Sequence, residues 1–288
     1  MEEASKTSRS PVDLRLARRP DRGRSGRLCS SQGTTLRKTS LVNHESSPDT
    51  RRLLLEELLE LCEGNLGAST ESAVLAVMHA WLVQTIDTVR AALVVHDAGL
   101  ASATSPLARA ALENAVGMHW LRQVQDAGLG GLHNSHKRWA RNLKRALSAA
   151  EAQDLDPDDP KWPAAWAELV AEIESQPSAP HVKGGGNIAE RFEVTELAHV
   201  YVAWLSETSL SHATQASATP YLKQVDDTYF LSRKPHASRG ESLEGRCFVA
   251  LDIALHAIAE VFDSEPLRLK LTDIEDRFAA SADDMNES

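Results

Sequence analysis

PLARAALENAVGMHWLRQV, residues 106–124, has a helical pattern that is apolar on nearly every side, yet it carries Arg109 and Glu113 one turn apart near its middle. A helix without a wide polar face belongs in the interior of a helical protein, and a charge taken there is costly unless it is paired. Helical residues advance by about 100° each, so Glu113 lies only about 40° from Arg109, and Val116 and Trp120 share the stripe. The two charged groups are expected to project together. One reading makes Arg109 an anion or phosphate clamp oriented by Glu113, because guanidinium matches carboxylate or phosphate in a bidentate way. The other makes the pair a buried tie between neighbouring helices.

The flanks of this stretch carry helix punctuation. Ser105 and Pro106 form a start signal, and Gly128, Gly130 and Gly131 are expected beyond the helix end. Upstream, RRLLLEELLELCEGN places leucines at helical spacing and predicts a helix over about 50–63. Ser69 or Thr70 is the expected cap of a second helix that Gly99 ends. Three antiparallel helices with short connections make a bundle core. Downstream, residues 133–153 read as a basic amphipathic helix lined by Trp139, Leu143 and Leu147, and DLDPDDPKWP as a break. Residues 164–175 read as a shorter helix, PSAPHVKGGGN as a loop, and 188–213 as one helix. Residues 220–240 look irregular, and two further helices close the chain.

Composition supports this. Of 288 residues, 42% are hydrophobic and 25% charged, and period-two runs rich in Val, Ile and Thr are nearly absent. The expectation is an all-α antiparallel helical bundle of about seven to nine helices, a single helical domain over 49–282 behind a disordered basic tail over 1–48. Residues 1–40 hold ten Lys or Arg against four acids, so the net charge of −10 hides a remainder of −16. An acidic body is a poor general attractor for nucleic acid. Cys29, Cys62 and Cys247 have no C-x-x-C spacing and an odd total, which argues against a disulfide framework or zinc knuckle and fits a reducing cytoplasm. No run is long and apolar enough for a membrane helix, and no signal core follows the N-terminal arginines. A cytoplasmic location is expected, with no membrane partner and no cofactor.

A second constellation lies in VYVAWLSETSLSHATQ, where Tyr201, Leu205, Thr208 and His212 fall on nearly one helical face, with Ser206, Ser209 and Ser211 around it. Histidine as a residue type suits a general acid or base, which makes His212 a candidate, with Tyr201 or a serine such as Ser209 as hydrogen-bond partner. The plainer reading has it cap the last carbonyls of its helix. No G-x-S-x-G context supports a serine nucleophile.

Together, LARAALENAVGMHWL and VYVAWLSETSLSHATQASATPYL resemble a family of uncharacterised bacterial helical proteins, in which an Arg-x-x-x-Glu helix precedes one with a Tyr, a Leu-Ser and a Ser-x-x-His element. The matching positions are Arg109, Glu113, Tyr201, Leu205, Ser206, Ser209 and His212, within residues 70–225. The resemblance implies an all-α fold and no established activity. More distantly the pattern is similar to the higher-eukaryote-and-prokaryote nucleotide-binding superfamily of helical ribonucleases and toxins, which place four to six residues between an Arg and a His. Arg90 with His96, and Arg37 with His44, fit that spacing. So few matches are what chance supplies, and Ala91 stands where active members carry a polar residue.

Lys137, Arg138, Arg141, Lys144 and Arg145 around Trp139 form a stripe able to track RNA phosphates, although such a stripe is more commonly a solvated face. His133 and His136 are three apart but lack an accompanying acidic ligand, so no metal site is expected. The functional expectation is a binding or interaction module, with a homodimer as one assembly open to it, built on an internal network of Arg109, Glu113, Tyr201, Ser209 and His212. The alternative is a metal-independent RNA-cleaving or phosphodiester-directed enzyme of toxin or defence type, with His212 as acid or base and Arg109 stabilising charge.

Overall fold

A computed structural model describes residues 48–64, 72–151, 161–213, 215–225, 228–232 and 243–283. The expected tail, Arg37 with His44, Cys29 and most of the DLDPDDPKWP break lie outside the described residues. All the described helices belong to one unit, Ser40–Ser288.

The chain is all-α, as composition and periodicity indicate, with one small hairpin added. Among the described residues nine α-helices have seven residues or more: α1 Pro48–Gly64, α2 Ala73–Asp97, α3 Ser105–Val124, α4 Asp126–Glu151, α5 Lys161–Ser175, α6 Ile188–Val194, α7 Ala198–Ser211, α9 Leu243–Val261 and α10 Glu265–Asp283. A single turn, α8 Gln215–Ala218, precedes strands β1 Leu222–Val225 and β2 Thr228–Leu231. These pair antiparallel in the register Leu222 with Leu231 through Val225 with Thr228. A hairpin thus occupies part of the stretch expected to be irregular.

Helix α3 is apolar all round because other helices cover it from several sides. It packs on α2, α9, α7, α6 and α4. Residues Ala108, Ala111, Leu112, Ala115, Val116, Met118, Trp120 and Leu121 are buried along it. Its small residues admit close neighbours, while Leu112, Met118 and Trp120 fill the spaces between. Helix α9 is the second axis of the core, buried almost continuously from Cys247 to Ala259 and flanked by α1, α2 and α10. Helices α4 and α5 pair on each other around a smaller cluster of Ala140, Val170 and Ile173, with Leu143 against it.

Several boundaries differ from the sequence expectation, each for a local reason. Helix α2 is capped by Ser72, whose Oγ accepts from Leu75 N at 3.3 Å, rather than by Ser69 or Thr70, which lie outside the described residues. Gly99, with φ +76°, ends α2 as expected. Gly128, Gly130 and Gly131 lie beyond the end of α3 as expected, but inside α4 and not in a loop, because Gln125 turns the chain with φ 51° and α4 begins at once. Gly131 lies against Gly185, where a Cβ would come to 2.8 Å from the facing Cα. The expected helix 188–213 is two helices, broken at Glu196, whose φ is 59°. Trp139 does not line the core. It is 43% exposed, stacked on His136 and set edge-on to Trp166.

Candidate functional site

The break between α6 and α7 directs α7 across α3, and this crossing joins the two constellations. Arg109 Nε donates to Glu113 Oε1 at 2.9 Å, the contact that the one-turn spacing requires. Arg109 Nη1 lies 3.0 Å from His212 Nε2, joining residues 103 apart in the chain. The same guanidinium sits 5.3 Å from the centre of the Trp204 ring, whose Nε1 donates to Glu113 Oε1 at 2.9 Å. Arg109, Glu113, Trp204 and His212 thus form one closed set. The pair is not sealed, because the Arg109 and Glu113 side chains keep 27% and 35% of their surface in solvent.

His212 sits at the C-cap position of α7 with extended backbone, one residue past the helix, and is exposed. Its ring is drawn to Arg109. A guanidinium has no acceptor, so Arg109 donates and His212 Nε2 accepts, which leaves the neutral ring's proton on Nδ1. Tyr201 joins the set by packing and not by a hydrogen bond to His212. Its ring stacks on Trp204 at 5.5 Å and tilts against Phe192 at 5.2 Å. Ser209 Oγ donates to Ser206 O at 2.8 Å, Thr208 to Trp204 O at 2.8 Å, and Ser211 to Glu207 O at 2.6 Å. This hydroxyl-rich turn bonds back to its own helix, the habit of Ser and Thr in helices.

Sequence reasoning missed Trp204 as a member, and it missed Arg191. The Arg191 guanidinium lies 4.8 Å from the Trp120 ring centre and 5.9 Å from that of Trp81, and its Nε donates to Gly184 O at 2.8 Å. Burial pulls its pKa below the ordinary arginine value, while the Glu113 charge acts in the opposite direction. Glu113 therefore senses two arginines, Arg109 and Arg191. The signal for Arg191 was the Gly184–Gly186 run, whose backbone wraps the aromatic ring: Gly184 has φ +84°, and Trp120 Nε1 donates to Lys183 O at 2.9 Å.

The basic stripe on α4 is not a uniformly solvated face. Lys137 is buried, with Nζ donating to Gln176 O and, at 3.3 Å, to Ser178 Oγ. Arg138 donates to Gly186 O at 3.2 Å, and Lys144 pairs with Glu174 at 3.0 Å. Arg141 Nε reaches Lys137 O at 3.4 Å and Arg145 reaches Asn142 Oδ1 at 3.5 Å. His133 meets Pro177 O at 3.1 Å while His136 stacks on Trp139, so the structure does not bring these two rings to a shared point. Arg90 pairs with Glu63 on α1, away from its sequence partner His96, which faces Asp97.

A further polar cluster lies where α9 meets α10 and α3. His256 Nε2 is 2.6 Å from Glu275 Oε1 and 3.6 Å from Asp252 Oδ1. Burial, then the adjacent Glu275, pushes the Asp252 carboxyl well above the usual carboxylate range, against the pull of His256. Burial works against His256 protonation, but the bond from Glu275 and the charges of Asp252 and Glu275 outweigh it, so its pKa rises. On α3, burial first, then the charges of Arg122 and His256, push His119 down to about 3. Arg122, which pairs with Glu260, bonds His119 Nε2 at 3.3 Å. Among the described residues Asp252, His256 and Glu275 are the group with the donor types and proximity to hold a metal ion. No protein-family model, curated protein or solved structure matches the chain.

Proposed function

We propose that this chain is a helical binding module whose recognition point is the Arg109–His212 pair, taking an anionic group such as a phosphate. The observation that carries the reading is the 3.0 Å contact between Arg109 Nη1 and His212 Nε2, made at an exposed helix end. Glu113 and Trp204 hold the guanidinium in place through its Nε and its face, so little rotamer freedom is lost on binding. Among the described residues the remaining guanidinium edge and the imidazole Nδ1 have no hydrogen-bond acceptor, and donors presented together in this way favour anions over neutral ligands. Arg191 adds a second positive charge opposite the single Glu113 carboxylate.

The test is a titration of the whole protein with inorganic phosphate, pyrophosphate and a short single-stranded RNA, read by tryptophan fluorescence through Trp204. Charge-assisted hydrogen bonds contribute about 1.5–3 kcal/mol each, so Arg109→Gln is expected to weaken binding by roughly ten- to a hundredfold. A wild type that responds to none of these anions supports instead a packing role for the set.

A second reading, RNA cleavage with His212 as acid or base, draws support from the same exposed His beside a fixed Arg. Expression of wild type and His212→Ala at equal levels tests it. Intact RNA and equal growth in both would remove it.

A further inference from the structure

We propose that Asp252, His256 and Glu275 form a site for one divalent first-row transition ion, bound through one imidazole nitrogen and two carboxylate oxygens, which clips α9 to α10. The site is separate from the Arg109–His212 pair and does not rest on the anion-binding reading. Asp252 and His256 stand one turn apart on α9, so both project toward α10, which supplies Glu275. One nitrogen of His256 and one carboxylate oxygen from each of Asp252 and Glu275 all lie within 4.8 Å of one another. Ligand atoms at tetrahedral zinc distances stand roughly 3.3 Å apart. The observed separations of 2.6 Å and 3.6 Å from His256 Nε2 bracket that value, so small side-chain rotations suffice.

A second observation points to a cation at this place. Asp252 is only 8% exposed; its carboxyl bonds Glu275, while its Oδ1 makes no hydrogen bond among the described residues and faces the His256 ring at 3.6 Å. A buried carboxylate calls for a positive partner, and a bound cation takes the place that a proton on His256 otherwise fills. Two carboxylates and one neutral imidazole balance a divalent ion to zero net charge. Mixed nitrogen and oxygen donors suit zinc and its first-row neighbours, whereas magnesium and calcium prefer oxygen alone. The Glu275 side chain keeps 23% of its surface in solvent, which provides an entry path and a fourth position for water.

Calorimetric titration of the full, chelator-treated chain with zinc, and visible absorption on adding cobalt, test the site. The expected result is one zinc per chain, cobalt bands of nitrogen and oxygen ligation, and losses of affinity of about tenfold or more in Asp252→Asn and in Glu275→Gln. His181→Gln, at an exposed histidine, is expected to bind as the wild type does. A wild type that takes up neither ion overturns the proposal. So does zinc binding whose stoichiometry and affinity are unchanged in both carboxylate variants. Should Asp252→Asn fail to fold, Glu275→Gln at the partly exposed position and the wild-type cobalt spectrum still decide.

Discussion

Arg109 is held on three sides at once: through Nε by Glu113, through Nη1 by His212 and across its face by Trp204. Lysine keeps the charge but has no planar fork and no flat face to stack. Arg109→Lys is therefore expected to lose about 1–2 kcal/mol of stability, measured by urea unfolding, and an unchanged midpoint would show that the fork geometry contributes nothing. The Arg109–Glu113 bond was legible because it lies within one helical turn. His212 was legible as a candidate, but its meeting with Arg109 depends on how α7 crosses α3, and no local spacing encodes that. Trp204 and Arg191 were missed for the same reason, since their partners come from other helices. Asp252 and His256 were legible in principle. They stand one turn apart in an apolar helix, the same anomaly that singled out Arg109 and Glu113. The cysteines make a second prediction at this scale. Burial pushes the Cys62 thiol far up and the Cys247 thiol up to about 12, so neither forms thiolate at pH 8. In a Cys29→Ser chain, a thiol reagent is expected to label nothing quickly in buffer and two groups per chain in denaturant. Fast labelling of the native chain would contradict that burial.

At the scale of elements, helix positions followed from periodicity, while helix ends depended on backbone geometry that composition does not reveal. Three glycines near residue 130 read as a terminator, yet each is also a point of close packing inside α4: Gly128 against Leu121 and Val124 of α3, Gly130 against Ala179, and Gly131 against Gly185. A methyl group at Gly131 would meet the Gly185 Cα at 2.8 Å, and one at Gly185 would meet the Gly131 Cα at 2.7 Å. Backbone atoms yield less readily than flexible side chains, so Gly131→Ala is expected to cost about 1–3 kcal/mol despite alanine's better helix propensity. Thermal unfolding checks the sign, and a stabilised Gly131→Ala chain would mean the loop can move away. The tie between α7 and α9 is a different kind of contact. Glu207 is fully buried and 3.1 Å from Arg246, itself only 14% exposed. Glu207→Ala removes a fully buried carboxylate from beside that guanidinium and is expected to destabilise by about 3 kcal/mol or more. A chemical-denaturation loss below about 1 kcal/mol would show that water reaches Arg246.

For the whole molecule, the all-α class was readable because hydrophobic periodicity and the scarcity of strand-like runs agree, and the centrality of α3 followed from its lack of a polar face. The arrangement around it was not readable. Packing chooses α9 as the second axis, and that choice creates a charged interior along α3 and α9 whose pH response belongs to the fold as a whole. His119 on α3 faces Arg122 from its own helix and His256 from α9, with Glu260 paired to Arg122 beyond. Its folded pKa of about 3 lies below the unfolded value near 6.5. Between those values the unfolded chain binds the proton and the folded chain does not. The neutral ring therefore contributes stability that is fully present above pH 6.5 and is lost as the pH falls toward 3. The limiting slope for one such group is about 1.4 kcal/mol per pH unit. Other groups titrate in the same window, so the informative quantity is the difference between wild type and His119→Gln, which retains an acceptor for Arg122 but cannot be protonated. Urea midpoints at pH 7.5, 5.5 and 4.5 are expected to converge, the wild type losing more stability than the variant with each step down. Parallel curves would mean that the wild-type core admits the proton, and that α3 and α9 separate more readily than their packing implies.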